Sequence, residues 1–335
     1  MKVSELGEFG LIKRLIQRLQ SARGGTDNAP QGMRLLVDVG DDAAAWQMGD
    51  IIELFTTDTV VDGVHFTRQT MPWKDLGWKA MAANVSDIAA MGGLPTYALI
   101  TLGLPKEAFV EDVDDLYEGF AEICAEYGVR IIGGDIVGSP VAFVTISLMG
   151  VTDRQPLLRS AARPGDQVAV TGWLGASRGG LELLQRGGKD MTAASAAALV
   201  EAHRRPRPRI EEGRALSKAG VRAAMDVSDG LLDDLGKLCE ASGLASVFHL
   251  ESVPAHPALK EAFPEQCRAF ALGGGEDYEL LFTAPPRVME RALPLVAAGA
   301  TVIGEVVEGT PGSVTLLGTD GRPVAPPDGG WNHFA

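Results

Sequence analysis

Carboxylates recur in this chain where apolar runs end, and that pattern restricts the folds open to it. The sharpest case is Asp226-Val227-Ser228-Asp229-Gly230. Ala223, Ala224 and Met225 lead in as a strand, and Leu231, Leu232, Leu235 and Leu238 follow at helical spacing. Two carboxylates and a hydroxyl therefore stand at a strand-to-helix turn. Three similar stretches lie upstream: Val39-Gly40-Asp41-Asp42, Thr56-Thr57-Asp58-Thr59 and Asn84-Val85-Ser86-Asp87. Gly133-Gly134-Asp135 completes the set. One Asp beside a Gly, or at a helix start, is a cap or turn residue. Several gathered in one crevice repel each other, and must take up protons or meet cations.

The rest of the chain alternates strand and helix patterns, which means α/β or α+β layers. An amphipathic helix is predicted over 6–20, with Phe9, Ile12, Leu15, Ile16 and Leu19 on one face. A Gly/Pro/Asn-rich loop covers 21–34. Strands are predicted at Leu35–Val39 and Ile51–Thr57, each ending in an acidic turn. A helix over Asp75–Met91 stops at Gly92-Gly93. Strands at 97–104, 129–132 and 141–151 flank a helix at 113–127. At 335 residues two domains are expected, 1–152 and 153–335, because 153–165 is polar and carries Pro156 and Pro164. The second half shows strands near 167–171, 245–250, 278–283, 301–307 and 313–317, with helices between them.

Forty-four acidic against thirty basic residues leave a net charge of −14. That balance argues against nucleic acid or an anionic membrane as a partner. No run approaches the ~18 apolar residues of a membrane span. Cys124, Cys239 and Cys267 are far apart, without CxxC, and read as buried free thiols in a reducing cytoplasm. The N-terminus lacks a signal-peptide pattern.

The chemistry-bearing residues suit divalent cations and phosphate. Mg²⁺ takes oxygen ligands and couples a few carboxylates to phosphates. Thr56, Thr57, Ser86 and Ser228 add hydroxyls beside the charges. Gly133-Gly134 would let a backbone approach an anion, and the helix start after Ser228 offers amides and a positive dipole end. Arg159 stands out in acidic surroundings, His65 follows the Asp58 stretch, and Glu276 follows three glycines. Trp331 is a candidate flat lid for an aromatic substrate. The arginines of 204–209, broken by Pro206 and Pro208, read as a solvated loop. GxxxxGK[ST] and GxGxxG are both absent. Gly175-Ala176-Ser177-Arg178-Gly179 matches G-x-S-x-G between a strand and a helix, with Asp277 and His333 as conceivable triad partners; it leaves the N-terminal carboxylates unexplained.

Taken together, the stretches resemble the thiamine-monophosphate kinase family. They include Gly40-Asp41-Asp42-Ala43, Thr57-Asp58-Thr59 with Gly63-Val64-His65-Phe66, and Asn84 to Gly92. Gly133-Gly134-Asp135, Arg159 with Pro164-Gly165-Asp166, Asp226 to Leu231, Gly274 to Leu280 and Trp331-Asn332-His333-Phe334 continue the match in order. The wider superfamily includes aminoimidazole ribonucleotide synthetase, selenophosphate synthetase and a hydrogenase maturation protein. The resemblance implies a two-domain α/β fold, with N-terminal domains pairing in a homodimer around a barrel-like sheet. It implies transfer of a phosphoryl group from ATP to thiamine monophosphate, with several Mg²⁺ ions and no side-chain base. By carry-over, Asp42, Thr56, Thr57, Asp58, Asp87, Asp135, Asp226 and Asp229 hold metal. Gly134, Asp135, Arg159 and Ser228 contact ATP, and His65, Glu276 and Trp331 contact the acceptor. The alternatives are a sibling enzyme activating another acceptor, a serine hydrolase, and a non-catalytic Mg-nucleotide binder.

Overall fold

The computed structural model describes residues 2–22, 30, 32–187 and 191–325. Up to Thr152 the elements are α1 (Val3–Ala22), β1 (Met33–Val37), β2 (Ala44–Met48), β3 (Ile51–Val61), α2 (Trp73–Ala90), β4 (Leu94–Leu104), α3 (Val110–Tyr127), β5 (Arg130–Gly138) and β6 (Phe143–Thr152). There follow β7 (Gln167–Thr171), α4 (Ala176–Arg186), α5 (Ala193–Arg204), α6 (Ile210–Ala219), β8 (Ala223–Asp226), α7 (Leu231–Ser242), β9 (Ala245–His249), α8 (Pro257–Ala262), α9 (Cys267–Gly273), β10 (Leu280–Ala284), α10 (Pro286–Ala292), β11 (Ala300–Val307) and β12 (Val314–Leu317). The strands form two six-stranded sheets, ordered β1-β2-β3-β6-β4-β5 and β12-β9-β11-β7-β10-β8. The α/β layering agrees with the sequence pattern. No described helix is long and apolar enough to cross a membrane. Most of the 21–34 loop lies outside the described residues.

Two expectations at the carboxylate stretches are corrected. β3 does not end at an acidic turn near Thr57. It runs to Val61, paired antiparallel with β6 from Ile52↔Thr152 to Val61↔Phe143. Thr56 to Thr59 are therefore mid-strand, and pleating sends alternate side chains to opposite faces. Gly133-Gly134-Asp135 is likewise inside an element, the parallel edge strand β5, in register with Leu99, Ile100 and Thr101 of β4. A Cβ on Gly134 would lie 1.8 Å from Ile100 O, so close backbone approach requires glycine there.

The helix α2 lies at the centre. Fifteen of its 18 residues are buried, polar Lys79, Asn84 and Ser86 among them. Such a helix must be covered on all sides. One hydrophobic core wraps it, joining Leu54, Ile100, Ile146 and Leu148 of the first sheet to Phe120 of α3, Leu216 of α6, and Ala224, Leu280 and Phe282 of the second sheet. The α2–α3 crossing depends on two glycines. A Cβ at Gly77 would come 2.1 Å from Leu116 O, and one at Gly119 would come 1.9 Å from Lys74 O.

The arginine-rich loop is not free in solvent. Arg205 donates to Asp75 of α2 at 2.6 Å and to Glu122 of α3 at 2.7 Å. Arg207 reaches Glu126 at 2.9 Å, Arg204 donates to Thr70 O, and Pro206 O accepts from Trp78 Nε1 at 2.8 Å. The acidic faces of α2 and α3 recruit the arginines, and the prolines keep the segment extended. It clasps the second half of the chain to the first. By contrast, Ile12, Leu15 and Leu19 on the apolar face of α1 are exposed, and Lys13 pairs with Glu240 of α7.

Gly119→Ala is expected to lower unfolding stability by about 1–3 kcal/mol, because the new methyl must displace backbone of α2. The midpoint of urea denaturation measures it.

Candidate functional site: a carboxylate cleft beside α2

Three carboxylates converge where the first sheet, α2 and β8 meet. Oxygens of Asp42, Asp87 and Asp226 all lie within 4.8 Å of one another. Asp42 comes from the turn before β2, Asp87 from the last turn of α2 and Asp226 from the end of β8. Asp42 and Asp226 are buried. Hydroxyls and one guanidinium hold the set. Thr56 Oγ1 donates to Asp87 Oδ2 at 2.5 Å, and Ser86 Oγ donates to Asp226 Oδ2 at 2.6 Å. The Arg159 guanidinium grips Asp42 Oδ1, and the Arg159 backbone N–H donates to Asp41 at 3.1 Å. Asp42 Oδ2 is buried and has no hydrogen-bond partner among the described residues. An orphaned carboxylate oxygen is costly to bury, and a cation would satisfy it. The donor set, all oxygen, suits a hard ion such as Mg²⁺.

The electrostatics say the same. Burial, followed by repulsion from Asp58, Asp226 and Asp42, pushes Asp87 well above the usual carboxylate range. Burial and then Asp42 push Asp226 up in the same way. Asp41 rises to about 7, again by burial first and Asp42 second. Asp58 is raised too, by desolvation against its neighbours first and by Asp42 and Asp229 next, although its surface is open to solvent. We attribute its shift mainly to the neighbouring carboxylates, since an accessible group keeps much of its hydration.

Strand alternation divides the other predicted residues. Thr56 and Asp58 face α2 and the cleft. Thr57 faces the other side of the sheet, where it donates to Ile146 O at 3.0 Å and meets Ser147 Oγ at 3.2 Å. Asp135 and Gly134 sit on β5, three strands from β3. Asp135 is in register with outward-facing Thr101, Thr145 and Thr59. The structure does not bring Thr57 or Asp135 to the triad. His65 lies in the turn beyond β3, its Nδ1 accepting from the Val61 N–H at 3.1 Å. Trp331 lies outside the described residues.

The second wall consists of two stitched loops. Val227 N–H donates to Glu279 O, Tyr278 N–H to Val227 O and Glu276 N–H to Ser228 O, all within 3.0 Å. Glu276 and Tyr278 have positive φ, 63° and 50°, which few side chains tolerate. The expected free amides after Ser228 are in part engaged by the chain itself. The N–H groups of Ser228, Asp229 and Gly230 all donate to Asp234 Oδ2, at 2.9, 2.9 and 3.1 Å. Lys237 pairs with both Asp229 and Asp234. The start of α4 is filled in the same way, by Asp277 accepting from Gly175 and Ser177. Helix N-termini attract anions, and here the chain's own carboxylates have taken the positions. Asp234 escaped sequence reading, although an Asp four residues past Gly230 was the available signal.

The hydrolase alternative loses its geometry. Ser177 is buried, and Asp277 holds its backbone N–H rather than a histidine. His333 lies outside the described residues. Glu276, meanwhile, is met by Lys79 Nζ at 2.8 Å.

Models of the AIR synthase related protein family match this chain, the N-terminal domain at 40–152 and the C-terminal domain at 163–316. The thiamine-monophosphate kinase of Aquifex aeolicus is 39% identical over 337 residues, covering 100% of both chains. That of Escherichia coli strain K12 is 36% identical, covering 98% of both. Among solved structures, AaThiL complexed with AMPPCP and TMP superposes with a TM-score of 0.85 at 37% identity, covering 99% of each chain. The hydrogenase maturation protein HypE in complex with ATP, at 19% identity and a TM-score of 0.65, shares the fold.

A carboxyl whose pKa rises on folding stabilises the fold fully below its unfolded value of 3.8, and that contribution is lost as pH climbs through the folded value. For Asp41 the window is 3.8 to about 7. Mg²⁺ is therefore expected to raise the melting temperature more at pH 8, where the carboxylates repel, than at pH 5.5, where protons compete. Differential scanning calorimetry with and without Mg²⁺ tests this.

Proposed function

The chain belongs to the thiamine-monophosphate kinase family, and on that premise we propose that it transfers the γ-phosphoryl group of ATP to the phosphate of thiamine monophosphate, giving thiamine diphosphate. The carrying observation is the Asp42–Asp87–Asp226 triad with its orphaned buried oxygen. In this reading Asp42, Asp87 and Asp226 hold Mg²⁺ together with Asp58, Asp229 and the Thr56 hydroxyl, while Thr57, expected among the ligands, faces away from the cleft. Bound Mg²⁺ supplies positive charge for polyphosphate oxygens. The complex with AMPPCP and TMP in a relative of the same fold supports both a nucleotide and an acceptor site here.

The chain's own groups then have separable tasks. Arg159 already neutralises Asp42 and can turn its fork to a phosphate. Ser228, its N–H committed to Asp234, has its hydroxyl for nucleotide. Glu276 faces the cationic thiazolium, with His65 and Trp331 as further acceptor contacts. No side-chain base is needed, because a phosphate monoester loses its second proton near pH ~6 and is already an oxyanion. The task is alignment of two anions, and the carboxylate cleft is built for cations that permit it.

The same reading divides the chain into 1–152, for metal, nucleotide and pairing, and 153–335, which completes the site. It includes a homodimer. The outward face and free edge of the first sheet expose Phe55, Tyr97, Leu99, Ile132 and Ile136, an apolar strip that a second copy would cover. Gly134 and Asp135 lie on that edge, so their contacts to ATP and metal would be made in the partner's cleft. A cytoplasmic setting goes with three buried free thiols.

Asp42→Ala and Asp229→Ala are each expected to lower turnover more than about 100-fold, with the fold retained. Near-normal rates in both would sink the metal-cluster reading. Isothermal calorimetry is expected to show thiamine monophosphate binding that strengthens with Mg²⁺ and an ATP analogue; no heat under either condition would remove the acceptor assignment.

A further inference from the structure

Lys79 occupies a place where a charge is expensive. It lies in the middle of α2 among Met, Ala and Trp, only 5% exposed. A Leu there would pack without desolvating an ammonium, so the charge calls for a reason. Its Nζ forms an ion pair with Glu276 Oε2 at 2.8 Å. The same Nζ lies 3.4 Å from His203 Nδ1, and His203 Nδ1 is 3.2 Å from Ser177 Oγ. His203 and Ser177 are themselves buried, 3% and 1% exposed. Burial, then Lys79 and Arg204, lowers the His203 pKa to about 2, so the ring is neutral and its Nδ1 lone pair faces two donors. Three buried groups from α2, α4 and α5 thus converge behind one carboxylate.

Glu276 is held from the other side as well. Its left-handed backbone, φ 63°, is pinned by the bond from its N–H to Ser228 O. The side chain is about one-third exposed at 33%, and the ion pair with Lys79 is made through Oε2. One carboxylate oxygen is therefore clamped and the other is left to the cleft.

We propose that Lys79, backed by His203 and Ser177, is a positioning residue that fixes Glu276 for recognition of the cationic ring of the acceptor. The proposal rests on the reading of Glu276 as an acceptor contact. Lys79 acts through Glu276, with too little exposure to meet substrate itself. It also makes the pair nearly neutral, so recognition depends on the aim of one oxygen more than on a bare negative charge. The same helix face carries Ser86, one turn before its end, onto Asp226. One rigid element therefore sets the acceptor carboxylate and the metal carboxylate in a common frame.

A double-mutant cycle tests it, with thiamine monophosphate binding read by calorimetry in the full-length protein. Glu276→Gln is expected to weaken binding about 10-fold or more, the loss of a charge-assisted contact. Lys79→Met is expected to weaken it about 5-fold or more. The double variant should match Glu276→Gln alone, because Lys79 has nothing left to aim. Binding of the ATP analogue should stay within about twofold in all three. If the two losses multiply in the double variant, or if Lys79→Met weakens nucleotide and acceptor alike, Lys79 is only structural and the proposal falls. If Glu276→Gln leaves acceptor affinity unchanged, the acceptor reading of Glu276 fails first, and the proposal with it. Lys79→Gln, which keeps a donor toward Glu276, carries the same cycle should the Met variant not fold, with a smaller loss expected.

Discussion

The repulsion among Asp42, Asp87 and Asp226 is the constraint around which the rest of the cleft is arranged. Their oxygens lie within 4.8 Å of one another in largely buried surroundings. Such a group costs several kcal/mol per uncompensated charge. The protein offsets this with one guanidinium, Arg159, and two hydroxyls, Thr56 and Ser86. The offset is incomplete, as the orphaned Asp42 Oδ2 shows. A divalent cation seated there would relieve the residual repulsion.

Rigidity keeps the carboxylates from moving apart. α2 is locked by close glycine contacts with α3, by the second sheet and by the arginine clasp. The 226–230 and 274–279 loops are bonded to each other through backbone groups. Asp234 takes the three N–H groups that lead into α7, and Asp277 takes those of Gly175 and Ser177 at the start of α4.

Much of this was legible along the chain. The carboxylate stretches stood out because each ends or interrupts an apolar run, and α2 and α7 were readable from helical spacing. β2 was not anticipated, since Ala44 to Met48 is too short and mixed to carry a period, and α8 and α9 escaped for the same reason. β3 was cut short at Thr57 because an Asp in a run of threonines mimics a turn. Ten ladder pairs with β6, each set by a strand distant in sequence, override that local signal. The arginine loop looks solvated along the chain because its partners, Asp75, Glu122 and Glu126, are 81 to 130 residues away.

By itself the sequence determined which residue types could carry the chemistry: oxygen donors for a hard cation, glycines where backbone must pass close, and an α/β alternation. Only the tertiary structure decided which of them share a site. Pleating sent Thr56 and Asp58 into the cleft and Thr57 to the far face, and the sheet order left Asp135 on an outer edge. It also wrapped the Ser228, Asp229 and Gly230 amides around Asp234. The reason is physical: local pattern sets where a side chain sits on its element, while packing between distant elements sets what that side chain meets.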